Sequence, residues 1–77
     1  MELEGSMAKE RGIVKWFDEV KSYGFITPDS GSKEIFFHRV DLDTLEQTIE
    51  KGERVEFEMG QGPKGVEAKH ITIFEEG

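Results

Sequence analysis

Most aromatic residues of this 77-residue chain lie in two short runs that also carry or adjoin basic residues. The first run, GIVKWFDEVKSYGFI, extends from Gly12 to Ile26, and the second, IFFH, extends from Ile35 to His38. Rings beside cations can bind single-stranded nucleic acid, because the bases stack on the rings and the cations meet the phosphates. An individual aromatic residue on a β-strand more often packs in a core or across strands. A binding function is therefore indicated only if several rings share one exposed surface.

The spacing of the rings predicts such a surface. Residues two apart on a β-strand share a face, so Tyr23 and Phe25 lie opposite to Ile26. If Ile26 and Ile35 face inward, one outward patch collects four rings, those of Tyr23, Phe25, Phe36 and His38. Other apolar residues already supply a core for so small a domain: Val14, Ile26, Ile35, Phe37, Val55 and Phe57. We expect an exposed aromatic surface edged by Lys15, Lys21, Lys33 and Arg39.

Two positions in the first run depart from simple alternation. Lys15, Trp16 and Phe17 are consecutive, so a β-bulge or a bend of the strand decides which of the two rings is exposed. Gly24 weakens a strand unless another group approaches its backbone closely. We therefore expect a bulge or bend near Trp16 and a close contact at Gly24.

Turn-forming residues divide the chain into short segments, and five of these segments have strand-like sequences. The predicted strands are Ile13–Asp18, Tyr23–Thr27, Glu34–His38, Arg54–Met59 and Val66–Phe74. In the last two strands the predicted inward positions are Val55, Phe57, Met59, Ala68, Ile71 and Ile73, with a slip in alternation near His70. Five short strands in a chain of this size predict an all-β fold, a small antiparallel barrel that is closed or nearly closed.

The one long connection, from Arg39 to Gly52, has a weak helical pattern. Asp43 is a candidate N-cap and Glu46 stands three residues later, as in a capping box. Three apolar residues of the segment would share one side of a helix: Leu42, Leu45 and Ile49. A turn or two of helix and an irregular loop are equally compatible with this segment.

Composition excludes several classes of protein. There is no cysteine, so neither disulfides nor thiolate metal sites support the fold, which is consistent with a reducing cytosol. His38 and His70 are too few for a structural zinc site. The sequence contains no apolar segment of membrane-spanning length, and we expect no export leader. The net charge of −7 argues against a protein that coats duplex DNA, but it permits a local basic patch.

The two aromatic runs resemble the ribonucleoprotein-type motifs of bacterial cold-shock proteins and the related cold-shock domain. The family motifs read approximately K-G-[FY]-G-F-I and V-F-[VF]-H, and here KSYGFI and IFFH follow VKWF in that order. The resemblance extends from Gly12 to Thr72 and includes KGERVEFEM and GPKGVEAKHI. It implies a five-stranded oligonucleotide-binding (OB-type) barrel that binds single-stranded RNA and DNA, often as an RNA chaperone. Residues 9–77 are interpreted as this domain, and residues 1–8 as a flexible N-terminal extension, in which MELEGS before Met7 is either an expression remnant or a loose start of the chain.

By position, the resemblance assigns nucleic-acid contacts to Lys15, Trp16, Phe17, Lys21, Tyr23, Phe25, Phe36 and His38. Arg39 stands where the family often has an aromatic residue, and we expect its guanidinium plane to take that role. Ser22 replaces a usual glycine, Asp18 a usual asparagine, and His70 a frequent asparagine. The Arg39–Gly52 segment lacks the aromatic residue that many members carry there, so the binding surface is expected to be shorter at that end.

The leading hypothesis is a monomeric, cytoplasmic RNA chaperone that traps open single strands. The alternative is a protein-interaction barrel that receives a Pro-rich or extended peptide on the same rings. The interleaving of lysines and rings favours nucleic acid, because a peptide groove needs no cations matched to phosphates. No carboxylates form a recognisable acid–base pair with a nucleophile, so we expect no enzyme activity, no cofactor, no metal, no membrane association and no small-molecule substrate.

Overall fold

The structure, a computed structural model, describes residues 9–31, 33–63 and 65–75. Its elements are five strands, β1 (Glu10–Asp18), β2 (Tyr23–Pro28), β3 (Ile35–His38), β4 (Arg54–Gly62) and β5 (Gly65–Ile73), and a 3-10 helix, Arg39–Asp41. These elements confirm the all-β class and the existence of all five predicted strands. The extension predicted for residues 1–8 lies outside the described residues and stays a prediction.

The strands form a closed barrel in the order β1-β2-β3-β5-β4. All neighbouring strands are antiparallel except β3 and β5, which pair in parallel at Phe36 and Glu67. A parallel pair requires a long crossover, and the segment from Arg39 through β4 provides it. The barrel prediction is therefore confirmed, and the β3–β5 junction is the one parallel pairing in an otherwise antiparallel barrel of the described strands.

Inward-facing residues of every strand meet in one core. Its buried members are Val14, Ile26, Ile35, Phe37, Leu42, Ile49, Val55, Phe57, Ala68 and Ile71, so all six residues first assigned to the core are confirmed. The slip predicted near His70 is also confirmed, because the β4–β5 register shifts between Glu56 and Glu58 and His70 has a φ of 52°. Two inward assignments are wrong, because Met59 and Ile73 are 46% and 40% exposed. Met59 lies beyond the β1–β4 pairing, which ends at Phe57, and Ile73 is the last residue of β5.

The connection after β3 is mostly irregular. Beyond the 3-10 helix, none of the described residues from Asp43 to Gly52 is helical. Gln47 adopts a φ of 51°, a left-handed conformation that interrupts a right-handed helix. Leu42 and Ile49 are buried while Leu45 is fully exposed, so the expected common apolar side is wrong for Leu45.

Candidate nucleic-acid interface

Pairing between β2 and β3 brings four rings onto one face. Tyr23 is opposite His38, and Phe25 is opposite Phe36. The Tyr23 and Phe36 rings are stacked with centroids 5.6 Å apart, and the Phe25 and Phe36 rings meet edge to face at 5.8 Å. The ring of His38 is exposed and the other three are half-buried. The predicted patch of four rings is therefore present.

A β-bulge adds Trp16 to this patch. The β1–β2 register shifts between Val14 and Trp16, as the sequence suggested for this strand. The Trp16 ring lies 5.2 Å from Tyr23 and 5.4 Å from Phe25, measured between centroids. We call the combined surface the aromatic platform; its members are Trp16, Tyr23, Phe25, Phe36 and His38.

Phe17 lies on the other side of β1, away from the aromatic platform. Its ring stacks on Phe37 with centroids 5.6 Å apart and an interplanar angle of 12°. Phe37 is fully buried, and Phe17 packs against the core from the outside while remaining partly exposed. The structure therefore does not bring Phe17 together with the five platform residues.

Gly24 allows β1 and β2 to approach closely beneath the platform. A Cβ atom at this position would lie 2.3 Å from the carbonyl oxygen of Trp16 and 2.9 Å from the Cα of Phe17. The Phe37 ring would also be only 2.9 Å away. The close contact expected at Gly24 is confirmed, and the group that makes it is the chain's own backbone and core.

The β1–β2 turn carries Lys21 to the edge of the aromatic platform. The carboxylate of Asp18 accepts hydrogen bonds from the backbone N–H groups of Val20 and Lys21, at 2.9 and 3.1 Å. Ser22 adopts a φ of 67°, the left-handed region in which the family's usual glycine is strain-free. Its N–H donates to the Asp18 carbonyl at 2.7 Å, so the serine retains a tight turn.

Arg39 is bound to that turn rather than to a ring. Its Nη2 donates a hydrogen bond of 2.9 Å to the carbonyl oxygen of Glu19, and its backbone N–H donates to the carbonyl of Ser22 at 2.8 Å. Its Nε is buried and has no hydrogen-bond partner. Within the described part of the chain, the observed cation–π contacts are those of Arg11 and Arg54 with Phe74. The guanidinium of Arg39, which we expected on the aromatic platform, therefore lies beside the platform.

Cationic side chains stand at both ends of the aromatic platform. Lys21 lines an open groove of about 500 Å³ together with the rings of Tyr23, Phe25, Phe36 and His38. At the opposite end, the Lys15 ammonium forms an exposed ion pair with the carboxylate of Glu34. Lys33 lines a second groove there, beside Phe25 and Glu34. The arrangement can hold stacked bases between two positive ends.

One residue beside the platform was not singled out in the sequence. Asp41 is 7% exposed, and its carboxylate accepts a hydrogen bond of 3.1 Å from the backbone N–H of His38. The spacing His-x-x-Asp resembles a capping box, in which a side chain three residues on returns to the N-cap N–H. That spacing is a sequence signal that could have identified Asp41.

Residues 9–31, 33–63 and 65–75 contain neither a metal-binding cluster nor a membrane-spanning helix. No group of three or more His, Cys, Asp or Glu side chains is arranged to hold a metal ion. No helix in this part of the chain has the length and apolarity that crossing a membrane requires.

Comparison with known proteins is consistent with this geometry. The profile of the family described as "'Cold-shock' DNA-binding domain" matches residues 10–74. Cold shock-like protein CspE of Escherichia coli K12 is 47% identical over 69 residues, which cover 88% of this chain and all of that protein. Cold shock-like protein CspA of Stigmatella aurantiaca is 42% identical over 62 residues, covering 78% of this chain and 90% of that protein.

A structural relative shares the fold at low sequence identity. The Drosophila Unr structure CSD456 superposes with a TM-score of 0.76 and 20% identity, over 90% of this chain and 28% of that one. The profile covers both aromatic runs and all five strands, and the chain spans nearly the whole length of its bacterial relatives. This chain therefore belongs to the cold-shock domain family.

Proposed function

We propose that the chain binds single-stranded RNA and DNA by stacking bases on the aromatic platform and acts as an RNA chaperone of the cold-shock type. Family membership supports nucleic-acid binding. The single observation that carries the single-strand mechanism is the set of five ring side chains that stay partly exposed on one face while a separate set of apolar residues fills the core. Each stacked base contributes about 1–3 kcal/mol and needs no particular sequence.

The proposed contacts are those assigned by resemblance: Lys15, Trp16, Phe17, Lys21, Tyr23, Phe25, Phe36, His38 and Arg39. The five platform residues would stack on bases, Lys15 and Lys21 would meet phosphates, and Arg39 would have a mixed role weighted to stacking. Phe17 would act at the margin, since its ring already stacks on Phe37. Arg39 would use the guanidinium donors that its bond to the Glu19 carbonyl leaves available.

Binding of this kind accounts for chaperone activity without a catalytic step. A protein that binds the open strand but not the paired one shifts the pairing equilibrium toward open strands by mass action. Duplex bases are already stacked on one another, so they offer no free faces to the platform. The proposal takes the chain to act as a monomer in the cytoplasm.

The net charge of −7 is compatible with the proposal because the cations are local. Exposed charges farther apart than a Debye length, about 8–10 Å, are largely screened at physiological salt. The cations at the two ends of the platform therefore dominate the potential that a bound strand experiences. A peptide ligand would not use them, which is why the peptide-binding alternative is not favoured.

Fluorescence of Trp16, the only tryptophan, tests the proposal directly. A short oligouridine should quench its emission, because a base stacks on or near the indole, and a duplex of equal length should bind much more weakly. The apparent affinity for oligouridine should fall as salt rises, by about 0.7 in the log–log slope for each phosphate neutralised. Equal affinity for the duplex and the single strand would contradict the stacking mechanism, and a salt-independent affinity would favour a peptide-type groove.

A further inference from the structure

Beside the platform lies a partly buried ionic network that stacking does not use. Lys69 Nζ lies 3.3 Å from Asp41 Oδ1 and 3.3 Å from Glu67 Oε1. Asp41 and Glu67 are 7% and 3% exposed. Burying carboxylates is costly unless they are paired and hydrogen-bonded. The free-energy cost of burying two carboxylates in so small a barrel suggests that the network has a function.

The local backbone makes room for this network. A Cβ atom at Gly62 would lie 2.1 Å from the carboxylate carbon of Glu67, so glycine leaves the space that the carboxylate fills. Burial acts to lower the pKa of Lys69, but hydrogen bonds from its ammonium to Glu67 and Asp41 outweigh burial and raise the pKa above its ordinary value. Lys69 is therefore charged at neutral pH and holds both carboxylates in place.

The network contacts the aromatic platform through a hydrogen bond between Asp41 and the backbone of His38. One oxygen of Asp41, Oδ1, is held by Lys69, while the other, Oδ2, accepts from the backbone N–H of His38 at 3.1 Å. The backbone N–H of Val40 donates to Nδ1 of the His38 ring at 3.3 Å. These two bonds cap the 3-10 helix reciprocally and hold the ring against its own backbone.

The bond from Val40 determines which ring nitrogen carries the hydrogen. A nitrogen that accepts a hydrogen bond has no hydrogen of its own, so the neutral His38 ring is protonated on Nε2. Nε2 lies at the outer end of this exposed ring, which lines the groove shared with Lys21 and Tyr23. The platform therefore presents the Nε2–H of His38 as a directed donor among its stacking surfaces.

We propose that Asp41, held by Lys69 and Glu67, is a positioning residue that fixes His38 as its Nε2–H form, so that His38 donates a hydrogen bond to an acceptor on the edge of a bound base. This proposal rests on the proposed function and specifies one contact within it. The acceptor belongs to a base rather than to a phosphate, because His38 lines the groove together with the rings of Tyr23, Phe25 and Phe36, on which bases would stack.

The first test is ¹⁵N NMR of the neutral His38 ring in the free protein. The variant His70→Asn removes the second histidine and so assigns the signals; asparagine tolerates the φ of 52° at that position. The parent should show an unprotonated Nδ1 and a protonated Nε2. In Asp41→Ala the shifts of the two nitrogens should move toward each other, because both hydrogen positions become populated. A protonated Nδ1 in the parent, or unchanged shifts in Asp41→Ala, would overturn the proposal.

The second test measures affinity for oligouridine per folded molecule. His38→Phe keeps a ring and removes the donor, and it should lose about two- to tenfold in affinity, the value of one hydrogen bond, with an unchanged salt slope. Asp41→Asn and Lys69→Met should lose part of that affinity, whereas Lys51→Met, a matched change at an exposed turn residue, should lose none. Asp41→Asn keeps the size and an acceptor oxygen, so it reports on the network even if Lys69→Met unfolds.

Two outcomes of the second test would count against the proposal in different ways. A fall of about 0.7 in the salt slope of His38→Phe would show that the ring binds a phosphate as a cation, and it would overturn the contact of a neutral His38 with a base. Failure of the parent to bind any single strand would overturn the base contact together with the proposed function. The NMR measurement on the free protein would still decide whether Asp41 positions the His38 ring.

Discussion

Phe36 and Phe37 are joined by one peptide bond, yet they belong to different parts of the molecule. Phe37 is fully buried, and its ring stacks on Phe17 at the edge of the core. Phe36 is half-buried and stacks on Tyr23 in the aromatic platform. Because side chains on a strand alternate between faces, the residue type alone decides neither role.

The same alternation gives the two faces different requirements. The inner face must exclude water and fill space, so a truncation there leaves a cavity. The outer face must keep rings accessible, so its residues touch each other along their edges and leave surface for a base. A chain that binds by stacking therefore carries apolar residues that contribute less to folding than their size suggests.

The largest expected effect separates these two faces. Phe37→Ala should lower the free energy of unfolding by about 3–5 kcal/mol through loss of burial and cavity formation. Phe36→Ala should cost little stability but weaken oligouridine binding by about 1–3 kcal/mol. Urea unfolding curves and Trp16 titrations on both variants measure the two quantities.

Matched variants control for position in the barrel. Val55→Ala and Ile26→Ala should behave like Phe37→Ala, with losses of about 2–4 kcal/mol and normal binding by the folded fraction. Phe25→Ala should behave like Phe36→Ala. A large stability loss in Phe25→Ala with normal binding per folded molecule would return that ring to the core.

Sequence reasoning predicted the fold and the paired rings well, because both follow from alternation. Ile26 and Ile35 are inward residues on adjacent strands, and once their direction is set, the direction of Tyr23 and Phe36 follows. The turn-forming residues between the strands marked the boundaries. Patterns of this kind are local, so a single sequence is sufficient to read them.

Features that depend on pairing across the barrel were not predictable in the same way. The parallel junction of β3 with β5 joins segments about thirty residues apart, and no local pattern signals it. The bulge near Trp16 was expected, but only the pairing of β1 with β2 shows that Phe17 turns to Phe37. The contact of Arg39 with the Glu19 carbonyl likewise depends on two turns meeting in space.

The next largest effect tests the division between Trp16 and Phe17. Trp16→Ala should weaken oligouridine binding by about 1–3 kcal/mol, since it removes a stacking ring. Phe17→Ala should instead lower the free energy of unfolding by about 1–3 kcal/mol, because its ring covers Phe37 but remains partly exposed. Binding by Trp16→Ala must be followed by anisotropy of a labelled oligonucleotide. If Phe17→Ala weakens binding as much as Trp16→Ala, the platform extends around β1.

A smaller effect concerns the ion pair between Lys15 and Glu34. A phosphate that contacts Lys15 must displace the Glu34 carboxylate, so the pair reduces both affinity and the gain from counterion release. Glu34→Gln should raise the affinity for oligouridine a few-fold and steepen its salt slope by up to about 0.7. Glu50→Gln makes the same charge change in the loop before β4 and should alter neither quantity much. Equal changes in the two variants would show that only net charge matters.

The smallest expected effect concerns Arg39, the clearest departure from the family pattern, for which two roles can be separated. As a structural link, its guanidinium joins the 3-10 helix to the turn that carries Lys21. As a nucleic-acid contact, it uses its remaining donors on a phosphate or its plane on a base. Arg39→Gln removes the charge and the reach of the guanidinium, whereas Arg39→Phe replaces them with the ring usual in the family.

The structural link predicts that both variants lose about 1 kcal/mol of unfolding free energy, the scale of one hydrogen bond, since the Glu19 carbonyl loses its donor. Loss of a phosphate contact would lower the salt slope by about 0.7 in both variants equally. A stacking role predicts a different result, because Arg39→Phe would then bind at least as tightly as the parent at high salt while Arg39→Gln would be weaker at every salt. We expect the stability loss in both variants together with recovery of high-salt affinity in Arg39→Phe alone, because the loop from Asp43 to Gly52 provides no ring for a base at that end. If neither variant loses stability and the salt slope falls equally in both, Arg39 is a phosphate contact only.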